Sequence, residues 1–332
     1  MNKTAIKSFA TEARKKLISD IIYTAGLYGI DNKRIADALP QSTGDMKLYD
    51  IGTGNYAEVT GTAIKQREAL VQEIRKREED MGYERAFDSV VEEVAYTWFN
   101  RLIAIRFMEV NDYLPSRVRV LSSENPAKKE PDFVTTPFDT DMDFNEEEQQ
   151  TIIDYKDANK LDELFRMLFI KQCNKLHDIL PELFEKTDDY TELLLSISFT
   201  DEDGVVYKLV NEVAEEDFRI VENSNGKITG QFEIIGWLYQ YYISEKHDEI
   251  INIYKGTVKK EDTPAATQLF TTDWVVKYMV DNSLGRYWIE RNPESSLTEK
   301  LEFFVTPKDG VVHNIEEKVL PENMTFLDEA VA

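Results

Sequence analysis

The chain has 332 residues, with 39 Lys plus Arg against 63 Asp plus Glu for a formal net charge of −24, and it is 42% hydrophobic and 11% aromatic. That is enough apolar material for a sizeable core in two or three domains, and it excludes a disordered acidic polymer. No run approaches 18 apolar residues, which excludes a membrane-spanning helix, and the single cysteine, Cys173, excludes an internal disulfide and fits a reducing cytoplasm.

The first thirty residues mix charges into every turn and lack the apolar stretch of a signal peptide. Residues 4–28 place Ile6, Phe9, Ala13, Leu17, Ile21 and Tyr28 near a 3.6-residue period, which predicts an amphipathic helix. Asp31 and Asn32 can cap a short helix through Ile35 and Leu39 that Pro40 ends. The Gly-, Thr-, Ser- and Asp-rich stretch 41–62 reads as a loop. Within it, Asp50-Ile51-Gly52-Thr53-Gly54 looks superficially like a phosphate-binding loop. It lacks a third spaced glycine, a preceding apolar strand and a Lys-Ser/Thr pair, so a flexible turn is the better account.

Residues 63–80 predict a charged surface helix, and 84–110 a long apolar-striped one that Asn111 to Pro115 terminates. Residues 116–145 carry Pro126, Pro131 and Pro137 and an acidic run, and read as a loop marking a subdomain boundary. Helical patterning resumes at 146–154 and 158–186, the latter with a buried stripe of Leu161, Leu164, Phe165, Leu168, Phe169 and Leu176. Further helices fit 190–197, 205–214, 230–254 and 273–291, and Thr325 to Asp328 is the best candidate for a short buried strand.

The charge is unevenly spread. Residues 1–120 hold 18 basic and 18 acidic residues, whereas 121–332 hold 21 and 45, so 21 − 45 = −24 is the whole excess. Phosphate would on average be repelled by the second part, and the first part stays open to nucleic acid.

His177, His247 and His313 lie far apart with no metal-ligand spacing, and Cys173 sits in a helical stripe that reads as core. The clusters Arg14-Lys15-Lys16 and Arg75-Lys76-Arg77 alternate with Glu12, Glu73, Glu78 and Glu79. They read as a solvated helix face or as phosphate contacts. The aromatic rows Tyr96-Thr97-Trp98-Phe99 and Trp237-Leu238-Tyr239-Gln240-Tyr241-Tyr242 could stack bases, but at helical spacing beside aliphatics they read as core. Near the end, Leu269-Phe270-Thr271-Thr272 is a loop entering a helix. Thr271 or Thr272 is a plausible N-cap, Asp273 suits the positive helix terminus, and Val275, Tyr278, Met279 and Val280 form the expected buried face.

Three stretches carry a family resemblance: Ala95 to Leu102 through Met108-Glu109-Val110, Glu233 to Tyr242, and Ala266 to Thr271 through Asn282 to Trp288. In these the chain resembles the amino-terminal portion of the PglX-like adenine-specific DNA methyltransferases of BREX phage-defence systems. The resemblance implies a mainly α fold of one or more multi-helix domains. It would end in the helix and first short strand that lead into an α/β, Rossmann-like methyltransferase domain. The implied division is 1–120 and 121–262 as helical subdomains, with 263–332 as the cofactor-covering helix and the start of the methyltransferase domain.

S-adenosylmethionine is the implied cofactor of the complete enzyme, with Phe270, Thr271 and Thr272 close to it and Asp328 at the strand end. Thr272 stands where the family has proline, which leaves the loop less rigid. Asp328-Glu329-Ala330-Val331-Ala332 departs from the family's Asp-Pro-Ala-x-Gly-Ser-Gly turn, and the Asn-Pro-Pro-Tyr-type loop that holds the flipped adenine is absent from these residues. The chain alone is therefore expected to hold no catalytic residue, to bind no cofactor and to be inactive. DNA, reached through the complete enzyme, and other BREX proteins are the implied partners, with no membrane and a cytoplasmic location. A non-enzymatic docking protein is the alternative.

Overall fold

A computed structural model describes residues 1–52, 54–181, 184–185, 189–222, 228–230, 233–253, 258, 263–267, 269–307 and 315–325. The chain divides into two compact units, Met1–Glu245 and Lys246–Ala332. Both are mainly helical, with two small antiparallel hairpins in the first.

The first unit is built on three helices whose apolar spacing dictates their packing. Helix α1 (Lys3–Leu27) starts where the Asn2 side chain accepts the Ala5 amide at 3.2 Å, and it buries Ile6, Phe9, Ala10, Ala13, Leu17 and Ile21 along one face. Helices α2 (Thr62–Met81) and α3 (Tyr83–Val110) meet at Gly82 alone. Its φ of +81° reverses the chain at no steric cost, and its amide donates to the Glu78 carbonyl at 2.9 Å. Trp98 and Phe99 are buried in the centre of α3, as the sequence implies. The Phe99 ring lies 4.3 Å from that of Tyr242, and Trp98 Nε1 donates to the Thr191 carbonyl at 2.9 Å.

The segment between α1 and α2 corrects two expectations. No helix forms over 31–39; the chain turns back between Asp31 and Arg34, with an isolated antiparallel bridge between Ile30 and Ile35. The expected loop at 41–62 holds an antiparallel hairpin, β1 (Met46–Gly52) against β2 (Asn55–Thr60). Its alternation is weak because only Tyr49 and Val59 turn inward, where they join Ala36 in a small separate core. Asp50 to Gly54 lies at the turn of this hairpin, with Thr53 outside the described residues. Arg67, on the helix expected to be a charged surface element, fastens the hairpin. Its Nε donates to the Tyr28 carbonyl at 2.7 Å, its Nη2 to the Ala36 carbonyl at 2.8 Å, and its guanidinium lies 3.4 Å over the Tyr49 ring.

Beyond α3, the proline-rich stretch is a loop apart from helix α4 (Asp132–Thr135) and a 3₁₀ turn at Pro137–Asp139. A buried carboxylate organises its entry. Glu109 accepts Arg106 Nη1 (2.6 Å) and the Ser122 hydroxyl (2.9 Å) on one oxygen, and the Val120 and Leu121 amides (both 2.8 Å) on the other. Helix α5 (Glu146–Asp157) opens with a reciprocal capping box between Asn145 and Glu148. Helix α6 (Leu161–His177) buries Leu164, Phe165, Leu168, Phe169 and Leu176, with Leu161 half-buried. It stops nine residues short of the expected 186, because the chain folds back and His177 Nδ1 donates to the Phe184 carbonyl at 2.7 Å. Cys173 is buried in this stripe, and burial pushes its thiol pKa up to about 12, as suits core rather than chemistry.

The expected helix at 190–197 shortens to α7 (Tyr190–Leu193). Helices α8 (Val205–Asn211) and α9 (Glu215–Phe218) follow, and then a hairpin the sequence reading missed, β3 (Ile220–Glu222) against β4 (Ile228–Gly230). The Asn111 side chain accepts the Ile220 amide at 2.7 Å and so ties β3 to the end of α3. Helix α10 (Ile234–Ile253) buries Ile234, Leu238 and Tyr242. Buried residues from Ile6 to Tyr242 form one core, so the segments on either side of residue 120 share it.

Both basic clusters are occupied by carboxylates. Arg14 pairs with Glu92, Lys15 with Glu245 (2.7 Å) and Lys16 with Asp20 (2.9 Å). Arg75 pairs with Glu78 (2.6 Å), and Lys76 and Arg77 both pair with Glu73 (3.5 and 2.8 Å). The ion-paired helix face is thus the reading the geometry favours over phosphate contact.

Glu215 contributes a pH-dependent tie. Its hydrogen bonds from Arg119 (2.6 and 3.1 Å) hold its carboxyl below the usual carboxylate range. A carboxylate of depressed folded-state pKa stabilises above its unfolded pKa, and loses that contribution as pH falls through the folded value. Glu215→Gln is therefore expected to lower the denaturant midpoint at pH 7. That difference should begin to shrink below about pH 4, the ordinary range for a glutamate, and vanish only once pH is below the depressed folded value; a difference that persists undiminished in strong acid would contradict the account.

Candidate functional site

The residues singled out for cofactor proximity lie in the second unit. It begins with the end of α10, where His247 Nδ1 donates to the Ala265 carbonyl in α11 (Thr263–Thr267) at 2.8 Å. Leu269 to Thr272 then lead into α12 (Asp273–Val280). Thr272 takes the N-cap position with φ −66° and ψ 147°, and its carbonyl accepts the Val275 and Val276 amides at 3.0 and 3.2 Å. Its side chain makes no capping hydrogen bond. Phe270 and Thr272 are half-buried, Thr271 is exposed, and Asp273 in the first turn pairs with Lys277 at 2.6 Å. Asp328 and most of the expected strand at 325–328 lie outside the described residues.

The expected buried face of α12 is corrected. None of its residues is buried: Val275 is half-buried, and Tyr278, Met279 and Val280 are 44%, 61% and 42% exposed. Trp274 and Leu269, both 59% exposed, extend the same apolar surface. The spacing is that of a packed helix, and no described residue of the unit buries it. An apolar patch of this kind, on one helix and its entry loop, marks a surface for association.

A π turn, Asp281–Gly285, carries the helix on into α13 (Arg286–Arg291). Its side chains hold the segment 303–305. Asn282 donates to the Tyr278 and Phe303 carbonyls, both at 2.8 Å, and accepts the Val305 amide at 2.8 Å; buried Asp281 accepts the Phe303 amide at 2.8 Å. The Asn282 side chain thus imitates one rung of a β-ladder. Asn282→Ala removes that rung, and at about 1 kcal/mol per hydrogen bond should weaken the unit by about 1–2 kcal/mol. Amide exchange at Val305 is expected to rise while the Phe303 amide, held by Asp281, and α1 to α3 stay protected; unchanged exchange at Val305 would sink the assignment.

Beside the π turn lies a cavity of about 390 Å³, lined by Ser283, Leu284, Tyr287, Asn323, Met324 and Thr325. It adjoins the start of the expected strand, but its lining does not include Phe270, Thr271 or Thr272. At 1.5 Å per residue, the eleven residues from Thr272 to Ser283 separate the two by about 16 Å along the helix. No carboxylate, histidine or cysteine lines the cavity, and the Ser283 hydroxyl already donates to the Met279 carbonyl at 2.7 Å. Such a lining suits binding through a ring and apolar contacts rather than proton transfer. Among the described residues, no group of three or more His, Cys, Asp or Glu is placed to hold a metal ion, and no helix is long and apolar enough to cross a membrane.

Sequence reasoning missed Asn282 as a positioning residue. The available signal was a polar Asp-Asn-Ser triplet, residues 281–283, interrupting two apolar helical stretches.

Comparison with known proteins supports the resemblance read from the aromatic-rich stretches. The chain is 45% identical over 296 residues to the adenine-specific methyltransferase PglX of Lacticaseibacillus casei (strain Zhang), a match covering 87% of this chain and 23% of that protein. It is 38% identical over 316 residues to the adenine-specific methyltransferase BrxX of Escherichia coli O9:H4 (strain HS), covering 93% of this chain and 24% of that protein. The chain therefore spans about a quarter of the length of the curated relatives it matches. No family model matches it.

Proposed function

We propose that the chain is the helical amino-terminal module of a BREX-type, S-adenosylmethionine-dependent DNA adenine-N6 methyltransferase acting in cytoplasmic phage defence. The uncovered apolar face of α12 carries this reading, in a chain that matches relatives named as adenine-specific methyltransferases over only a quarter of their length. In the complete enzyme the rest of the polypeptide supplies the catalytic loop and the body of the cofactor fold, and α12 lies over the cofactor cleft. The cofactor's role there is to donate the methyl group to the adenine amine.

Phe270, Thr271 and Thr272 approach the cofactor from the helix entry, and Asp328 marks the end of the strand facing it. The Thr272 side chain, which caps nothing within the helix, is available to a ligand. The N-terminal end of α12 carries the positive pole of the helix, where a carboxylate is favoured. Residues 263–332 are thus the lead-in to the methyltransferase domain, and the first unit supports it, in contact with DNA or other BREX proteins.

The test uses the complete methyltransferase that carries this chain. Thr271→Ala/Thr272→Ala is expected to weaken S-adenosylmethionine binding about tenfold, the loss of roughly one hydrogen bond to a charged group. The unfolding midpoint should not move. Unchanged cofactor affinity would remove these residues from the site.

A further inference from the structure

A cavity of about 410 Å³ in the first unit, between the end of α3, the loop that follows it and α8, departs from the acidic character of the chain. Arg106, Arg119, Lys128 and Lys129 line it, against a single carboxylate, Glu215.

That carboxylate is already matched. Arg119 holds it in a two-pronged contact at 2.6 and 3.1 Å, and Arg219 adds a third hydrogen bond. Arg106, 1% exposed, faces Glu109, and its Nε has no hydrogen-bond partner. Arg106 and Arg119 thus meet Glu109 and Glu215 in a balanced floor, and the surplus positive charge of the lining is that of Lys128 and Lys129 at the rim. At the rim, Lys129 has only a largely exposed pairing with Glu202 at 3.7 Å, and the loop acids Glu124, Glu130 and Asp132 do not line the cavity. The lining also carries two rings, Phe199 and Tyr207, beside Val206, Val210 and Asn211. The volume falls in the range of small-molecule sites and far exceeds what a bare phosphate fills.

We propose that this cavity binds a free nucleotide, its phosphate toward Arg119 and Lys128 and its base against the Phe199 and Tyr207 rings. A guanidinium suits phosphate by its fork of donors, and an aromatic wall takes a base without regard to sequence. The site belongs to the first unit and does not depend on the reading of the cofactor cleft.

Calorimetric titration of the chain with adenosine monophosphate tests it, alongside adenosine, inorganic phosphate and a short 5′-phosphorylated oligonucleotide. Saturable binding of the nucleotide is expected, with adenosine and phosphate each weaker by about tenfold or more. Lys128→Glu/Lys129→Glu reverses two exposed charges and should weaken the nucleotide about tenfold with the unfolding midpoint unchanged. Tyr207→Ala should weaken the nucleotide while leaving phosphate alone unaffected. No saturation by the nucleotide, equal binding of bare phosphate, binding of the oligonucleotide only, or indifference to the lysine reversals would each overturn the proposal.

Discussion

Glu109→Ala is expected to cost the first unit about 3–5 kcal/mol, the penalty for taking the nearer counter-charge from buried Arg106, which keeps only the Glu215 carboxylate at 3.6 Å. Arg106 and Glu109 are 1% and 2% exposed, so water cannot replace the lost carboxylate. The Val120 and Leu121 amides lose their acceptor in the same step. With a domain's whole stability at about 5–15 kcal/mol, this loss is a large fraction of the total. Chemical denaturation of the chain measures it. Arg106→Met/Glu109→Ala should recover part of the loss by removing the under-compensated cation, but the two amides stay unpaired, so recovery is incomplete. A single-variant loss below about 1 kcal/mol would show that the pair is solvated in solution and not buried.

Arg67→Ala is expected to cost about 2–4 kcal/mol, with the effect concentrated on β1 and β2. Two carbonyls, of Tyr28 and Ala36, lose their donor, and each buried unpaired group costs about 1–3 kcal/mol. The Tyr49 ring also loses the cation above it. Lysine cannot repair this, since its single ammonium lacks the planar fork that reaches two acceptors while stacking on a ring. Hydrogen exchange should show the amides of 46–60 opening while Leu70 and Ile74 in α2 stay protected. Equal protection of the hairpin in the variant would mean that Tyr49 and Val59 hold it without Arg67.

Long amphipathic helices were legible in the sequence because the period repeats many times. In α1 and α3 the positions of Phe9, Leu17, Trp98 and Leu102 follow from spacing alone. The hairpins were not legible, for a physical reason. Strand β1 buries only Tyr49 and β2 only Val59, so neither has the alternation that separates a strand from a polar loop. The tie that makes the hairpin stable comes from Arg67, a charged residue in a charged run, and no local pattern announces that its guanidinium will turn inward.

The same limit applies to Glu109, whose partners Val120, Leu121 and Ser122 lie eleven to thirteen residues away in a stretch with no periodicity. At the candidate site, the helix and Thr272 at its N-cap were legible, whereas the exposure of its apolar face was not. Period shows that a face is apolar; it does not show what covers it.

The π turn at Asp281–Gly285 sets an angular offset within one rod. Such a turn is equivalent to one extra residue in an α-helix. Each residue advances about 100° around the axis, so the stripe along α12 and the stripe along α13 are out of phase by about that angle. The offset lets the apolar surface of Trp274 and Tyr278 look one way while Arg286 reaches the Val305 carbonyl and Ile289 turns into the unit's interior. The number of residues between Val280 and Arg286 therefore sets the phase of the rod, beside the ties that the Asp281 and Asn282 side chains make. Deleting one of them would relax the rod to a uniform helix, swing Arg286 off the Val305 carbonyl and turn Ile289 out of the interior together, a torsional error that no side-chain substitution nearby could reproduce or reverse.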